Sequence, residues 1–368
     1  MSPLTGEPFG EVLVRWQKQH GRQTLPWQHT GDAYKVWLSE VMLQQTQVTT
    51  VLAYYARFLQ AYPTVADLAG APEQDVMQLW AGLGYYTRAR NLHACAKQVV
   101  ARFGGQFPRT VAELESLPGI GQSTAGAIAS LAYGVQAPIL DGNVKRVFCR
   151  YYGIEGYAEQ TPIKKKLWAI AADNVPVSEP GVYNQALMDL GATCCLPRNP
   201  ACAACPLMES CEALRKGMVG QLPTPKPKKL RPELHFISLI VQDERGRVLL
   251  ELQTGKGIWQ SLWTPPCAVC SAQPATAELF SLLDEWIERY GLADSDAGTQ
   301  QALRGQIEAL CDQPWLVHEL THRKMHFKVL VLKLPGEPAG FYAVDEKPVP
   351  RIVHKLMGQV ELLAQSTQ

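Results

Sequence analysis

Leu117-Pro118-Gly119-Ile120-Gly121-Gln122-Ser123-Thr124-Ala125-Gly126 lies between two stretches of helical apolar period, Val111 to Leu117 and Thr124 to Ala132. Two glycines two positions apart permit positive φ, and a helix beginning just after them points unpaired first-turn amides outward, as an anion site requires. The unit reads as a helix–hairpin–helix that can grip a phosphate, although an ordinary helix–helix turn has the same glycine spacing. Within about one helix length there follows Leu140-Asp141-Gly142-Asn143-Val144-Lys145-Arg146-Val147. Asp141 is most simply the N-cap of a helix starting at Val144, and the same exposed helix start also suits a catalytic carboxylate if it faces a cleft.

Outward from the hairpin the first part of the chain is all-α by pattern. Apolar residues recur at three- and four-residue spacing over Val36 to Phe58, Val65 to Leu68, Val76 to Trp80, Leu92 to Phe103, Val144 to Tyr152 and Tyr183 to Leu190. Pro223-Thr224-Pro225-Lys226-Pro227-Lys228-Lys229-Leu230-Arg231-Pro232 then denies helix and central strand alike, and is the best domain boundary. Beyond it the rhythm turns α+β. Leu234 to Val241 and Val248 to Leu252 flank a turn at Asp243 to Gly246, Phe327 to Leu332 reads as a strand, and Ala277 to Tyr290 and Arg351 to Leu363 read as helices.

The formal net charge of +1 over 368 residues conceals an asymmetry. Residues 1–225 hold 19 Lys/Arg against 17 Asp/Glu, 226–231 add four basic residues, and 232–368 hold 12 basic against 17 acidic. A mildly basic first part and a basic connector are thus offset by an acidic last part. With 46% hydrophobic and 19% charged residues the composition is that of a globular protein, which excludes a disordered chain or coiled coil. Neither a signal-like run in Met1 to Arg22 nor a bilayer-length apolar stretch is present, so a cytosolic chain without membrane attachment is expected, with its cysteines reduced.

Cys195-x6-Cys202-x2-Cys205-x5-Cys211 places four thiols on one Pro-rich segment. Four converging thiolates hold zinc or an iron–sulfur cluster. A single continuous segment with only one Cys-x2-Cys favours [4Fe–4S] over zinc. Cys194 is assigned to packing, and Cys267-x2-Cys270, without a second pair, to small buried hydrophobes. Glu40, in Ser39-Glu40-Val41-Met42-Leu43-Gln44-Gln45-Thr46-Gln47, shares a helix face with Leu43, Gln44 and Gln47 and has no basic partner three or four positions away. Alone it reads best as a solvated helix glutamate; in an apolar setting the same carboxyl would keep its proton near neutral pH.

Taken in order along the chain, these motifs resemble the helix–hairpin–helix DNA glycosylases with a [4Fe–4S] cluster, and more narrowly the MutY-type adenine DNA glycosylases. The resemblance runs through Leu25-Pro26-Trp27, Ser39 to Thr46, Gly82-Leu83-Gly84-Tyr85-Tyr86, the hairpin, Leu140 to Asn143, Asn184-Gln185-Ala186-Leu187-Met188-Asp189-Leu190-Gly191 and the cysteine loop, roughly residues 25–211. It implies a multidomain chain. An all-α catalytic region would span 1–222, with a six-helix module at about 28–137 and a cluster loop at 195–211. A connector at 223–232 and an α+β Nudix-like domain at 233–368 would follow.

The resemblance also implies a bacterial base-excision enzyme acting as a monomer in the cytoplasm on duplex DNA with adenine opposite 8-oxoguanine or guanine. Glu40 would protonate adenine at N7 and Asp141 would stabilise or capture the sugar cation, with Asn143 and Ser123 beside them. Gln45 and Tyr85 match wedge residues, Leu43 lies next to them, and Trp27, Gln28, Gln185 and Met188 match the adenine pocket; alone, Tyr85 reads as a core aromatic. Gly119, Gly121 and Arg198 would meet the DNA backbone, and Cys195, Cys202, Cys205 and Cys211 would bind one [4Fe–4S] cluster. Ser123 stands where bifunctional endonuclease III-like relatives carry a Schiff-base lysine, which implies a monofunctional enzyme. The rival readings are such a glycosylase/lyase and a non-enzymatic iron–sulfur DNA-binding protein.

In the last domain the acidic magnesium-binding helix of active Nudix hydrolases is missing, so no nucleotide hydrolysis is expected. The family's lesion-reading loop, typically Phe-Ser-His, aligns with Lys324-Met325-His326. His326 is kept, but Met325 cannot donate a hydrogen bond, which implies weaker discrimination of 8-oxoguanine from guanine. A modest salt slope of DNA binding is expected, because affinity would rest on local features rather than on net charge.

Overall fold

The computed structural model describes residues 7–227, 230–292, 297–310, 313–336 and 339–365; Lys228 and Lys229 of the connector, and Cys311, lie outside them. The chain divides into two compact units, Met1–Ala71 with Thr87–Lys228, and Pro72–Tyr86 with Lys229–Gln368. Along the chain the helices are α1 (Phe9–His20), α2 (Ala33–Leu43), α3 (Val48–Ala61), α4 (Val65–Gly70), α5 (Glu73–Trp80, in the second unit), α6 (Thr87–Phe103), α7 (Val111–Glu115), α8 (Gln122–Tyr133), α9 (Gly142–Tyr151), α10 (Thr161–Asp173), α11 (Pro180–Asp189) and α12 (Glu212–Arg215).

In the first unit α2 is the central helix. Asp32 caps it, accepting from the Tyr34 amide at 2.9 Å, and Val36, Trp37, Leu38, Val41 and Met42 are buried around its circumference. A helix apolar on all sides belongs in a core, and α2 packs against α8, α3 and α6. A second cluster joins α1 to the later helices, with the Phe9 ring 4.8 Å from Tyr151 and 5.9 Å from Phe148. Tyr183 and Leu187 of α11 complete it. The N-terminal helix thus closes onto α9 and α11, more than a hundred residues away in sequence.

The continuous period read from Val36 to Phe58 is two helices. The α2 helix stops at Leu43 and α3 starts at Val48, because Gln45 adopts φ 58, which no helix accommodates. The expected face of Glu40, Leu43, Gln44 and Gln47 is therefore cut at Leu43. The helix read from Leu92 begins five residues earlier, at Thr87, and α11 runs on into a π-helical turn over Leu190–Cys194.

The second unit holds a sheet of order β6-β7-β1-β2-β8, with β5 also paired to β1. Its strands are β1 (Glu233–Gln242), β2 (Val248–Leu249), β5 (Cys267–Cys270), β6 (Leu316–Glu319), β7 (Lys324–Lys333) and β8 (Phe341–Tyr342), while β3 (Glu251–Leu252) pairs only with β4 (Trp263–Thr264). The β1 and β7 strands run parallel over ten positions, from Glu233 opposite Lys324 to Gln242 opposite Lys333. Buried on both faces, they read as continuous apolar runs rather than alternation. Helices α13 (Thr276–Arg289) and α14 (Ala297–Leu310) cover one face and α15 (Arg351–Gln365) the other. The expected turn after β1 is present, with the Asp243 carboxylate accepting from the Arg245 and Arg247 amides at 3.0 and 2.8 Å.

The stretch Lys324-Met325-His326, expected as a loop, is the start of β7. Met325 is fully buried, and the His326 ring stacks on His235 at 4.5 Å while its Nε2 meets a Glu233 carboxylate oxygen at 2.9 Å.

Candidate active site and cysteine loop

Glu40 sits on the last turns of the buried helix α2 and Asp141 at the start of α9. The Glu40 side chain is half-buried, and its carboxyl is pushed up to about 7, first by burial and second by the negative charge of Asp141. The solvated-glutamate reading does not survive this. Asp141 is also raised by burial, but the Val144 and Asn143 amides and the charges of Arg146 and Lys145 all pull it back down. Its Oδ1 accepts from the Val144 amide at 2.8 Å, as an N-cap does. Burial raises both carboxyls, but at Asp141 two amides and two cations offset part of it, whereas at Glu40 the charge of Asp141 adds to it, so Glu40 is the better placed of the two to keep its proton.

Ser123 belongs to the same assembly. Its Oγ accepts from the Leu140 amide at 2.9 Å, so the hydroxyl ties the start of α8 to the residue before Asp141. Of the two hairpin glycines only Gly119 uses positive φ, at 74°; a Cβ there would lie 2.7 Å from Asn91 Cβ. Gly121 is the N-cap of α8 at φ −95, and the position a Cβ would take has no heavy atom within 4 Å. Gly119 is therefore required by conformation and close packing, whereas Gly121 leaves open space above the first-turn amides of α8.

Trp27 is buried, its ring edge-on to Tyr55 at 5.2 Å. Gln28 accepts from the Leu25 amide through Oε1, and its buried Nε2 has no hydrogen-bond partner among the described residues. Gln185 donates from Nε2 to Asp189 Oδ1 at 3.0 Å, and Met188 packs against the core. Leu43 is half-buried at the end of α2, and Gln45 is exposed just beyond it. Tyr85, in the second unit, is 45% exposed at φ 51, with its hydroxyl 2.6 Å from Thr321 Oγ1. Gln45 and Tyr85 each hold left-handed backbone, a conformation that costs a non-glycine residue about 1–3 kcal/mol.

The four cysteines are half-buried on a segment of short turns between Cys195 and Cys211. Donors converge on their sulfurs: Arg150 Nη1 approaches Cys195 Sγ at 3.3 Å, the Leu207 amide serves Cys205, and the Ala213 and Leu214 amides serve Cys211. Burial outweighs these donors and holds the Cys205 and Cys211 thiols above the ordinary cysteine value, while the same amides and the Arg150 guanidinium are placed to hydrogen-bond sulfurs that ligate a [4Fe–4S] cluster. Cys194 is buried beside them, as expected of a packing residue, and Arg198 is exposed next to Asn199 at φ 50. Cys267 and Cys270 lie on β5, and Cys270 packs on the sheet core.

Three residues essential to this architecture escaped the sequence reading. Arg146 donates to Cys195 O at 2.7 Å, Gly191 O at 2.6 Å and Asn143 Oδ1 at 2.8 Å. One turn on, Arg150 donates to Leu196 O at 2.7 Å and to Leu222 O at 2.8 Å, while being 3% exposed. Together they fasten the cysteine segment to the helix that Asp141 caps, and their i, i+4 spacing on one face was the available signal. The third, Asp189, is wholly buried; its carboxylate accepts from Gln17, from Arg22 Nη2 at 2.6 Å and from Gln185.

Comparison with known proteins agrees with this arrangement. Residues 38–172 match the model of the HhH-GPD superfamily of base excision DNA repair proteins, and 195–211 match the iron–sulfur binding domain of endonuclease III. The solved structure of a thermostable thymine-DNA glycosylase superposes with a TM-score of 0.52 at 31% identity, covering 56% of this chain and 95% of that one. The chain is thus a DNA N-glycosylase of the helix–hairpin–helix class with a [4Fe–4S] cluster. An adenine DNA glycosylase of Buchnera aphidicola subsp. Baizongia pistaciae is 42% identical over 264 residues, covering 72% of this chain and 74% of the relative. The human adenine DNA glycosylase is 46% identical over 223 residues, 58% of this chain and 41% of that longer protein. The chain belongs to the adenine DNA glycosylase family.

Proposed function

We propose that the protein flips adenine out of mispairs with 8-oxoguanine or guanine in duplex DNA and hydrolyses its glycosidic bond. The observation that carries this reading is the pairing of a carboxyl that titrates at about 7, Glu40, with a second carboxyl, Asp141, whose charge is stabilised by amides and cations. The target atoms are inaccessible in the stack, so extrusion comes first. Glu40 then gives its proton to adenine N7, and the electron pair of the C1′–N9 bond leaves with the neutral base. Asp141 stabilises or briefly captures the sugar cation until water adds to C1′ and loses a proton. Asn143 and Ser123 hold Asp141 in place. Gln28, with its Nε2 unpartnered among the described residues, joins Trp27, Gln185 and Met188 in receiving the base, while Leu43 and Gln45 occupy the opened stack.

Release stops at the abasic site. Ser123 offers a hydroxyl that is already engaged, and Lys145, the nearby amine, is ion-paired with Glu159. The cluster, when bound, shapes the loop that offers Arg198 to a phosphate, while Gly119, Gly121 and the α8 amides grip another. The second unit serves as a Nudix-like reader of the opposite strand. His326 and Met325 lie buried in β7, with His326 stacked on His235 and bonded to Glu233, so neither is placed to read a lesion and the expected loop contact is withdrawn. The enzyme acts as a monomer on nucleoid DNA in the cytoplasm.

A base-release assay on duplexes with adenine opposite 8-oxoguanine, guanine and thymine, run beside an iron determination, tests the reading. Release from the first two only, with about four irons per chain, is expected. Equal release opposite thymine, or strand cleavage abolished by Lys145→Ala, would refute it.

A further inference from the structure

The first turn of α6 carries an arginine to which neither the motifs nor the chemistry above assigns a role. Arg88 Nη1 lies 3.0, 2.9 and 2.6 Å from the carbonyl oxygens of Val41, Met42 and Gln44, and Nη2 donates to Thr46 Oγ1 at 3.2 Å. These carbonyls are among the last of α2, which have no partner within the helix, and a cation at that end also meets the negative pole of its dipole. The guanidinium therefore brackets Gln45 from both sides, through Gln44 and Thr46. Gln45 is the residue between them at φ 58, exposed, in a conformation that its neighbours must hold. Three of these acceptors converge on Nη1 and the fourth, across the turn, meets Nη2, so the two sides of the Gln45 turn are held by two nitrogens of one plane, where an ammonium offers one.

One turn further along α6, Asn91 sits against Gly119 of the hairpin. Gln44, Arg88, Asn91 and Gly119 line one small cleft of about 30 Å³, so the Gln45 turn and the hairpin are braced by the same helical turn. We propose that Arg88 is a positioning residue that sets the Gln45 turn at a defined distance from the phosphate-gripping hairpin, so that Gln45 enters the stack as the adenine leaves it. The inference rests on the glycosylase reading above. It gives Arg88 no part in the bond-breaking step, which belongs to Glu40 and Asp141.

Single-turnover adenine release by the full-length, cluster-loaded protein separates these roles. The substrates are a guanine:adenine duplex and the same duplex with an abasic site opposite the adenine, where no base pair has to be broken. Arg88→Met slows release from the mispair about 100-fold, the order of effect of a misplacement of about 1 Å, and release opposite the abasic site by no more than about threefold. Gln45→Ala likewise slows release from the mispair. Arg88→Lys keeps the charge without the fork and falls with Arg88→Met, so it decides the matter should Arg88→Met lose its cluster. Equal losses on both substrates, an unaffected mispair rate, or wild-type activity in Arg88→Lys would overturn the proposal. Wild-type protein releasing adenine from neither substrate would instead remove the functional reading on which it stands.

Discussion

Glu40→Gln should destroy base release and yet stabilise the protein, by an amount that depends on pH. The carboxyl moves from an ordinary 4.5 to about 7 on folding. The folded state holds this proton more tightly than the unfolded chain, so the group's contribution to stability is fully present below the unfolded value, declines as pH rises toward 7, and is lost above it. At about 1.36 kcal/mol per unit, the ionised carboxylate costs roughly 3 kcal/mol at pH 8 and roughly 1 kcal/mol at pH 5. Glutamine, neutral at both, removes that dependence. The melting temperature of the variant relative to wild type should therefore be higher at pH 8 than at pH 5 by roughly 4–8 °C, at about 2–4 °C per kcal/mol for a unit of this size. Base release should fall about 10²- to 10⁴-fold with DNA affinity unchanged. In the wild type, single-turnover release should decline above pH 7 as the donor ionises, and in Asp141→Asn the Glu40-linked loss of stability with rising pH should be smaller and complete at a lower pH, because one of the two causes of the shift is gone. A gap between Glu40→Gln and wild type that stays flat from pH 5 to 8 would refute the buried-acid argument.

Two further outcomes follow from the buried network. Arg150→Met should leave carbonyls of the cysteine segment without their donor, lowering stability by about 1–3 kcal/mol; iron content and visible cluster absorbance measure the loss. Ser123→Ala should strand the Leu140 amide at a cost of about 1–3 kcal/mol, with release slowed and no gain of strand cleavage, as gel analysis of the product would show.

The hairpin glycines, the Asp141 cap and the cysteine spacing were legible because each depends on contacts within a few residues. Asp141 caps its own helix through an amide three positions on, a requirement any reader of Asp-Gly-Asn-Val can state. Glu40 was ambiguous for the opposite reason. Nothing within four residues tells a solvated glutamate from a buried acid, and the difference is made by a carboxyl a hundred residues away and by the packing of α2. The break at Gln45 was hidden likewise, because apolar period continues across it and the guanidinium that receives the α2 carbonyls comes from Arg88. The strand at Lys324 was missed because register with β1, not local pattern, makes it a strand.

The hairpin, the Asp141 cap and the four-thiol spacing were therefore readable from the linear order of residues, since local geometry and ligand chemistry need only neighbours, whereas the class and the candidacy of Glu40 came from the resemblance carried by the order of the motifs. Which carboxyl keeps its proton, which glycine needs positive φ and which arginines hold the site together were settled by folding. Desolvation, close approach and buried hydrogen bonds arise only when segments far apart in the chain exclude water from one another.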